Sequence, residues 1–125
     1  MERVGGYRDL LVWQRGMDLA ERVYGVTRSY PREERFGLTS QTRRAAVSVP
    51  ANIAEGHGRG TRAAYAGFLR IARGSLRELE THLLLAQRLE MADVQRFDGL
   101  LIDIDEIGRM LHTLINRLQH PKTNP

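Results

Sequence analysis

The chain has 125 residues, 42% of them hydrophobic and 27% charged, and its 19 Lys and Arg against 15 Asp and Glu give a formal net charge of +4. That length fits one domain around one continuous core, and the composition is that of a folded globular protein rather than a disordered one. Cysteine is absent, which excludes disulfides, thiol catalysis and zinc-thiolate sites. The longest apolar runs, such as residues 10–13 and 83–86, are four residues, against the roughly 20 that a membrane span needs.

Met1-Glu2-Arg3-Val4-Gly5-Gly6 does not read as a signal peptide, so a bacterial-type cytoplasm is the expected compartment and no membrane is expected as a partner. The charge is unevenly placed. Residues 1–77 carry 14 Arg against 7 acids, whereas residues 78–125 carry 5 Arg and Lys against 8 acids. Within 41–77 there are seven Arg and a single acid, Glu55. Such density attracts phosphate or an acidic protein surface more than it serves folding. Lys122 is the only lysine, so the positions of the arginines carry the argument, not the choice of Arg over Lys.

Residues 1–8 read as an N-terminal extension. The first helix is predicted over about 9–29, with Asp9 as N-cap and Tyr30-Pro31 as stop. Trp13, Met17, Ala20, Tyr24 and Thr27 share one arc, which Val12, Leu19, Val23 and Val26 widen sideways beyond a single packing seam. The second helix, about 39–55, contains Pro50, which cannot donate to the Ala46 carbonyl and predicts a kink. Gly56-His57-Gly58-Arg59-Gly60 ends it, with Gly56 as C-cap.

The third helix, about 61–89, sets Tyr65, Phe68, Leu69, Ala72, Leu76, Leu79, Leu83 and Ala86 on one face, with Thr61 as N-cap. Arg62, Arg70, Arg73 and Arg77 fall within an arc of about 80° off that face and form one basic stripe. In the fourth, about 93–119, Phe97, Leu100, Leu101, Ile104, Ile107, Leu111, Ile115 and Leu118 point inward while Asp98, Asp103, Asp105 and Glu106 turn away. Residues 120–125 form a tail. Four amphipathic helices with short connections and no strand pattern predict an all-α domain over 9–119, an antiparallel up-down-up-down four-helix bundle.

Catalytic chemistry finds no footing. A di-metal bundle uses Glu-x-x-His pairs, and no carboxylate stands three residues before a histidine. Glu78 and His82, four apart, read as an exposed helical pair, and His57, His112 and His120 are isolated. Gly56, Gly58 and Gly60 follow no strand and precede no Gly-Lys-Ser/Thr, so no dinucleotide loop or P-loop is formed. Arg59 and Arg62 do flank the third helix's N-terminus, where free N–H groups favour phosphate. The serines (Ser29, Ser40, Ser48 and Ser75) show no nucleophile elbow. Ser48, Asn52 and Ser75 suit tight helix contacts, and Trp13 a core anchor rather than a base-stacking platform. No metal site, cofactor or catalytic set is predicted, and the chain is expected not to be an enzyme.

The string FGLTSQTRRAAVSVPANIAEG, residues 36–56, resembles the signature of the 23S rRNA-intervening-sequence protein family. LLVWQ at 10–14 and FLRIARGSLRELET at 68–81 support the resemblance, which extends over about 8–118. It implies a small cytosolic bacterial protein, an antiparallel four-helix bundle assembled as a ring of five, and no reaction. The family name records that some members are encoded within 23S rRNA genes, so RNA association there is inferred from gene position. A related group, the accessory proteins of diversity-generating retroelements, is similar in being basic and pentameric and in binding nucleic acid and a reverse transcriptase.

The expected function is therefore a non-enzymatic oligomeric scaffold binding RNA or other nucleic acid through Arg43, Arg44, Arg59, Arg62, Arg70, Arg73 and Arg77. The alternative is a protein-interaction adaptor whose arginines meet an acidic partner such as a reverse transcriptase. Excess apolar surface at Leu19 and Val26, and at Ile71, Leu85 and Leu89 beside the third helix's core face, marks the expected subunit contacts of a homopentamer.

Overall fold

A computed structural model describes residues 6–121. The start of the predicted N-terminal extension and the end of the predicted tail, Lys122 included, lie outside the described residues. Four helices account for most of the chain: α1 (Leu11–Thr27), α2 (Leu38–His57), α3 (Arg62–Arg88) and α4 (Val94–Gln119). Single 3-10 turns, Tyr7–Asp9 and Arg32–Glu34, precede α1 and α2. No strand occurs among the described residues. Each helix packs on its neighbours in sequence and α4 closes back on α1, a four-helix bundle with one shared core.

α3 follows its sequence closely. Ala66, Leu69, Ala72, Leu76, Leu79, Leu83 and Ala86 are buried at helical spacing, and the Ala64 N–H donates to the Thr61 hydroxyl at 3.1 Å, the expected N-cap. Tyr65 and Phe68 are half-buried at its N-terminal end. α4 buries Phe97, Leu100, Ile104, Ile107, Leu111 and Ile115, while Leu101 and Leu118 are half-buried at the margin of the core.

α1 departs in two ways. Asp9 does not cap it: the chain makes a 3-10 turn first, and Leu10 takes the cap position without a side-chain bond. The wide apolar arc is also consumed internally, with Leu19 only 1% and Val26 only 6% exposed. A helix touching two neighbours buries a broader arc than one packed along a single seam. Leu19 and Val26 thus belong to the chain's own core, which corrects their assignment to a subunit contact; the exposed apolar residues of α1 are Leu11, Met17 and Tyr24.

α2 continues through Pro50 to His57, with the buried proline ring set against Gly16 of α1. The end of α2 corrects the C-cap. Gly56 is a buried residue inside the helix, and a Cβ there would stand 2.6 Å from Phe68 Cβ, so its hydrogen lets α2 and α3 approach closely. Gly58 is the C-cap instead, its N–H reaching the Ala54 carbonyl at 3.3 Å, and Gly60 turns the chain at φ +89.

Polar contacts lock two seams. Between α2 and α3, Ser48 Oγ and Ser75 Oγ are 2.7 Å apart, the tight contact expected of the two serines, and within α2 Asn52 Nδ2 donates to the Ser48 carbonyl at 2.8 Å. Between α1 and α4, Arg15 meets Glu106 at 2.7 Å, Arg22 meets Asp103, and Arg96 donates to the Ser29 hydroxyl and the Gly25 carbonyl, each at 3.1 Å. Partner numbers fall along α4 as they rise along α1. Two of the acids expected simply to face water therefore clasp α1.

Candidate nucleic-acid interface

The seven arginines of α2, α3 and their connection fall into three settings. Arg43 and Arg44 sit on successive residues of α2 but differ in freedom. Arg43 Nε donates to Thr27 Oγ1 at 2.8 Å, and its guanidinium lies 4.5 Å from the Tyr24 ring centroid, so it braces α2 against α1. Arg44 is exposed and makes no hydrogen bond or ion pair with the described residues.

Arg59 and Arg62 occupy the α2–α3 turn. Arg59 pairs with Glu55 at 2.8 Å and lies 4.9 Å from the Phe68 ring centroid, which neutralises the only acid of the 41–77 stretch. Arg62 has no such partner among the described residues. It borders a hollow shared with His57, Thr61 and Tyr65, where the His57 and Tyr65 rings meet edge-on at 5.6 Å. Burial pushes the Tyr65 phenol above its ordinary value. Thr61 already satisfies one N–H of the α3 terminus, which leaves less of it for an anion.

Arg70, Arg73 and Arg77 follow one another along α3, off the core. Arg70 and Arg73 have no hydrogen-bond or ion-pair partner among the described residues, and Arg77 pairs with Glu80 at 3.0 Å in an exposed contact. Arg73 and Arg77 open onto a groove of about 580 Å³ between α3 and α4, where Arg109, paired with Asp105 at 2.6 Å, and His112 join them. Nothing in the sequence singles out Arg109, which lies in the acidic half of the chain, and His112, isolated in sequence, meets the arginines only across the α3–α4 groove.

A second groove, about 540 Å³, runs along α2 and is lined by Tyr24, Arg35, Phe36, Arg43, Arg44 and the hydroxyls of Thr39, Ser40 and Ser48, with Val47. Its lining includes no carboxylate. The signal for Phe36 was in the sequence: an aromatic in a charged linker, outside any helical apolar pattern.

Other candidates settle differently. Trp13 is half-buried against the core with its ring edge-on to Tyr7 at 5.2 Å, as befits an anchor. Glu78 and His82 are 3.8 Å apart, but the His82 side chain is only 12% exposed and its Nδ1 has no hydrogen-bond partner, so the expected exposed pair is an exposed acid beside a largely buried imidazole. Ile71, Leu85 and Leu89 are exposed. Among the described residues no group of three or more His, Asp or Glu is placed to hold a metal ion, and no helix is long and apolar enough to cross a membrane.

An all-helical bundle whose second and third helices carry unpaired arginines on the surface is the class of protein these features define. The sequence matches the family model described as 23S rRNA-intervening sequence protein over residues 8–113, and the chain belongs to that family. The fold is similar to a crystal structure of a protein of unknown function from the S23 ribosomal protein family of Bacteroides thetaiotaomicron. The two share 26% sequence identity at a TM-score of 0.78, over 85% of this chain and 96% of the other. No curated protein matches the sequence.

Proposed function

We propose that the chain is a non-enzymatic, cytoplasmic RNA-binding protein that works as a homo-oligomer, a ring of five, and contacts phosphate through the arginines of α2 and α3. The observation that carries this reading is the set Arg44, Arg62, Arg70 and Arg73: four cations on two consecutive helices with no hydrogen-bond or ion-pair partner among the described residues, in a stretch whose single acid is already paired. Arg77 adds to them, because an exposed ion pair such as Arg77–Glu80 is worth at most about 1 kcal/mol and yields to a phosphate. Repetition around a ring multiplies such contacts without base-specific ones, so affinity without sequence preference is expected.

The test is RNA retention by the purified protein across a salt series. Replacing Arg70, Arg73 and Arg77 together by Gln leaves the core untouched and should weaken binding while flattening the salt slope by up to about 3. Unchanged affinity and slope would remove this surface from the site. Retention of an acidic protein in place of RNA would favour the adaptor reading.

A further inference from the structure

Phe36 is 87% exposed, more than any other large hydrophobic residue described. It lies in the linker between α1 and α2, two residues before the buried Leu38. Leaving such a ring in water forgoes roughly 2 kcal/mol of burial, whereas Leu38, the first residue of α2 and two positions on, is buried. Phe36 is nonetheless held outward, at the edge of the α2 groove. The Arg35 guanidinium lies 5.4 Å from its ring centroid and covers part of one face; the exposure leaves the other face open.

The groove beside it has the chemistry of a nucleotide cradle. Its volume, about 540 Å³, falls in the roughly 300–1,000 Å³ range of small-ligand sites. Arg43 is fixed there by Thr27 and Tyr24, Arg44 has no partner among the described residues, and the lining they share includes no described carboxylate. An exposed aromatic face beside convergent guanidinium groups is how proteins hold single strands: the base stacks and the phosphate is neutralised. A duplex keeps its bases stacked internally and offers Phe36 nothing.

We infer that the groove between Phe36 and Arg44 receives an unpaired nucleotide of single-stranded RNA, with its base on the free face of Phe36 and its phosphate between Arg35, Arg43 and Arg44. This rests on the RNA-binding reading above and narrows it, from any phosphate backbone to one with unstacked bases. Arg43 is held ready for that contact, since its bond to Thr27 sets where the guanidinium stands.

The test measures fluorescence anisotropy of a labelled 12-nucleotide oligouridine and of a blunt-ended 12-base-pair RNA duplex, which has no unpaired base. Phe36→Ala should weaken oligouridine binding by about 5- to 100-fold and leave duplex binding within about twofold, and Phe36→Tyr should restore most of the loss. Far-UV circular dichroism and light scattering on each variant check fold and mass. Equal losses on both RNAs, or no loss on either, would overturn the stacking site. A change of oligomeric mass on Phe36→Ala would do the same, and would assign the ring to a subunit contact. Binding that survives Phe36→Ala but is lost on replacing Arg70, Arg73 and Arg77 would leave the broader reading standing alone. A wild type that retains neither RNA would overturn both.

Discussion

A methyl group on Gly56 would stand 2.6 Å from the Cβ of Phe68, closer than two such carbons approach in folded proteins. Gly56→Ala must push α2 and α3 apart, at a cost of about 1–3 kcal/mol that outweighs the gain of up to about 1 kcal/mol in helix propensity. Gly74, on the exposed side of α3 with nothing within 4 Å of an added Cβ, is the control. Gly74→Ala should raise stability by about 0.5–1 kcal/mol. Urea unfolding of both variants gives the comparison, and equal shifts would refute the close-approach account.

Thr61→Ala removes the acceptor of the Ala64 N–H. A loss of about 1 kcal/mol is expected, with Thr61→Asp recovering most of it, because aspartate caps as well and favours the positive end of the helix. Thermal melts of the three proteins decide the point.

Tyr30 is buried, with no hydrogen-bond partner for its hydroxyl among the described residues, and that burial pushes its pKa from 10.0 to about 12. The folded chain therefore holds this proton more tightly than the unfolded one. The associated stability is intact below about pH 10 and is lost as the pH rises through about 12, on the order of 2 kcal/mol in all. Tyr30→Phe should be near neutral at pH 7 and should flatten the alkaline decline in denaturant midpoint. An alkaline limb identical to wild type would show that another group controls it.

Five copies of the 14.2 kDa chain would give a mass of about 71 kDa by light scattering. Exposed Ile71 and Leu85 lie outside the core, so their joint replacement by Asp should leave the monomer folded and lower that mass. A wild-type mass of about 14 kDa would sink the oligomer, and one of about 28 kDa would leave association without the ring.

Local rules carried the helices well. The face of α3, its Thr61 cap and the Ser48–Ser75 contact were all legible, since each depends on spacing within a helix or on small polar residues suited to close contact. What escaped depends on distances between elements. Periodicity does not say that α2 and α3 approach until Gly56 has no room, nor that α1 has two neighbours and so hides Leu19 and Val26. The basic stripe was visible as an arc, but which arginines are free was not, because the bond from Arg43 to Thr27 joins residues of different helices. The Arg-to-Phe36 stack lies in a linker, where no repeat marks it.

The clasp of Arg15 with Glu106, Arg22 with Asp103 and Arg96 with the end of α1 gives the bundle an uneven grip. α1 and α4 share the narrowest helix contact and hold it partly through solvent-exposed charges, whereas α2 and α3 share the broadest and close over buried side chains. Dissolved ions screen the first seam and hardly touch the second. Raised salt should therefore speed amide hydrogen exchange in α1 and α4 before α2 and α3, so that the bundle breathes along one edge while the helices carrying the free arginines stay paired. The cationic surface then keeps its shape while its attraction is titrated away.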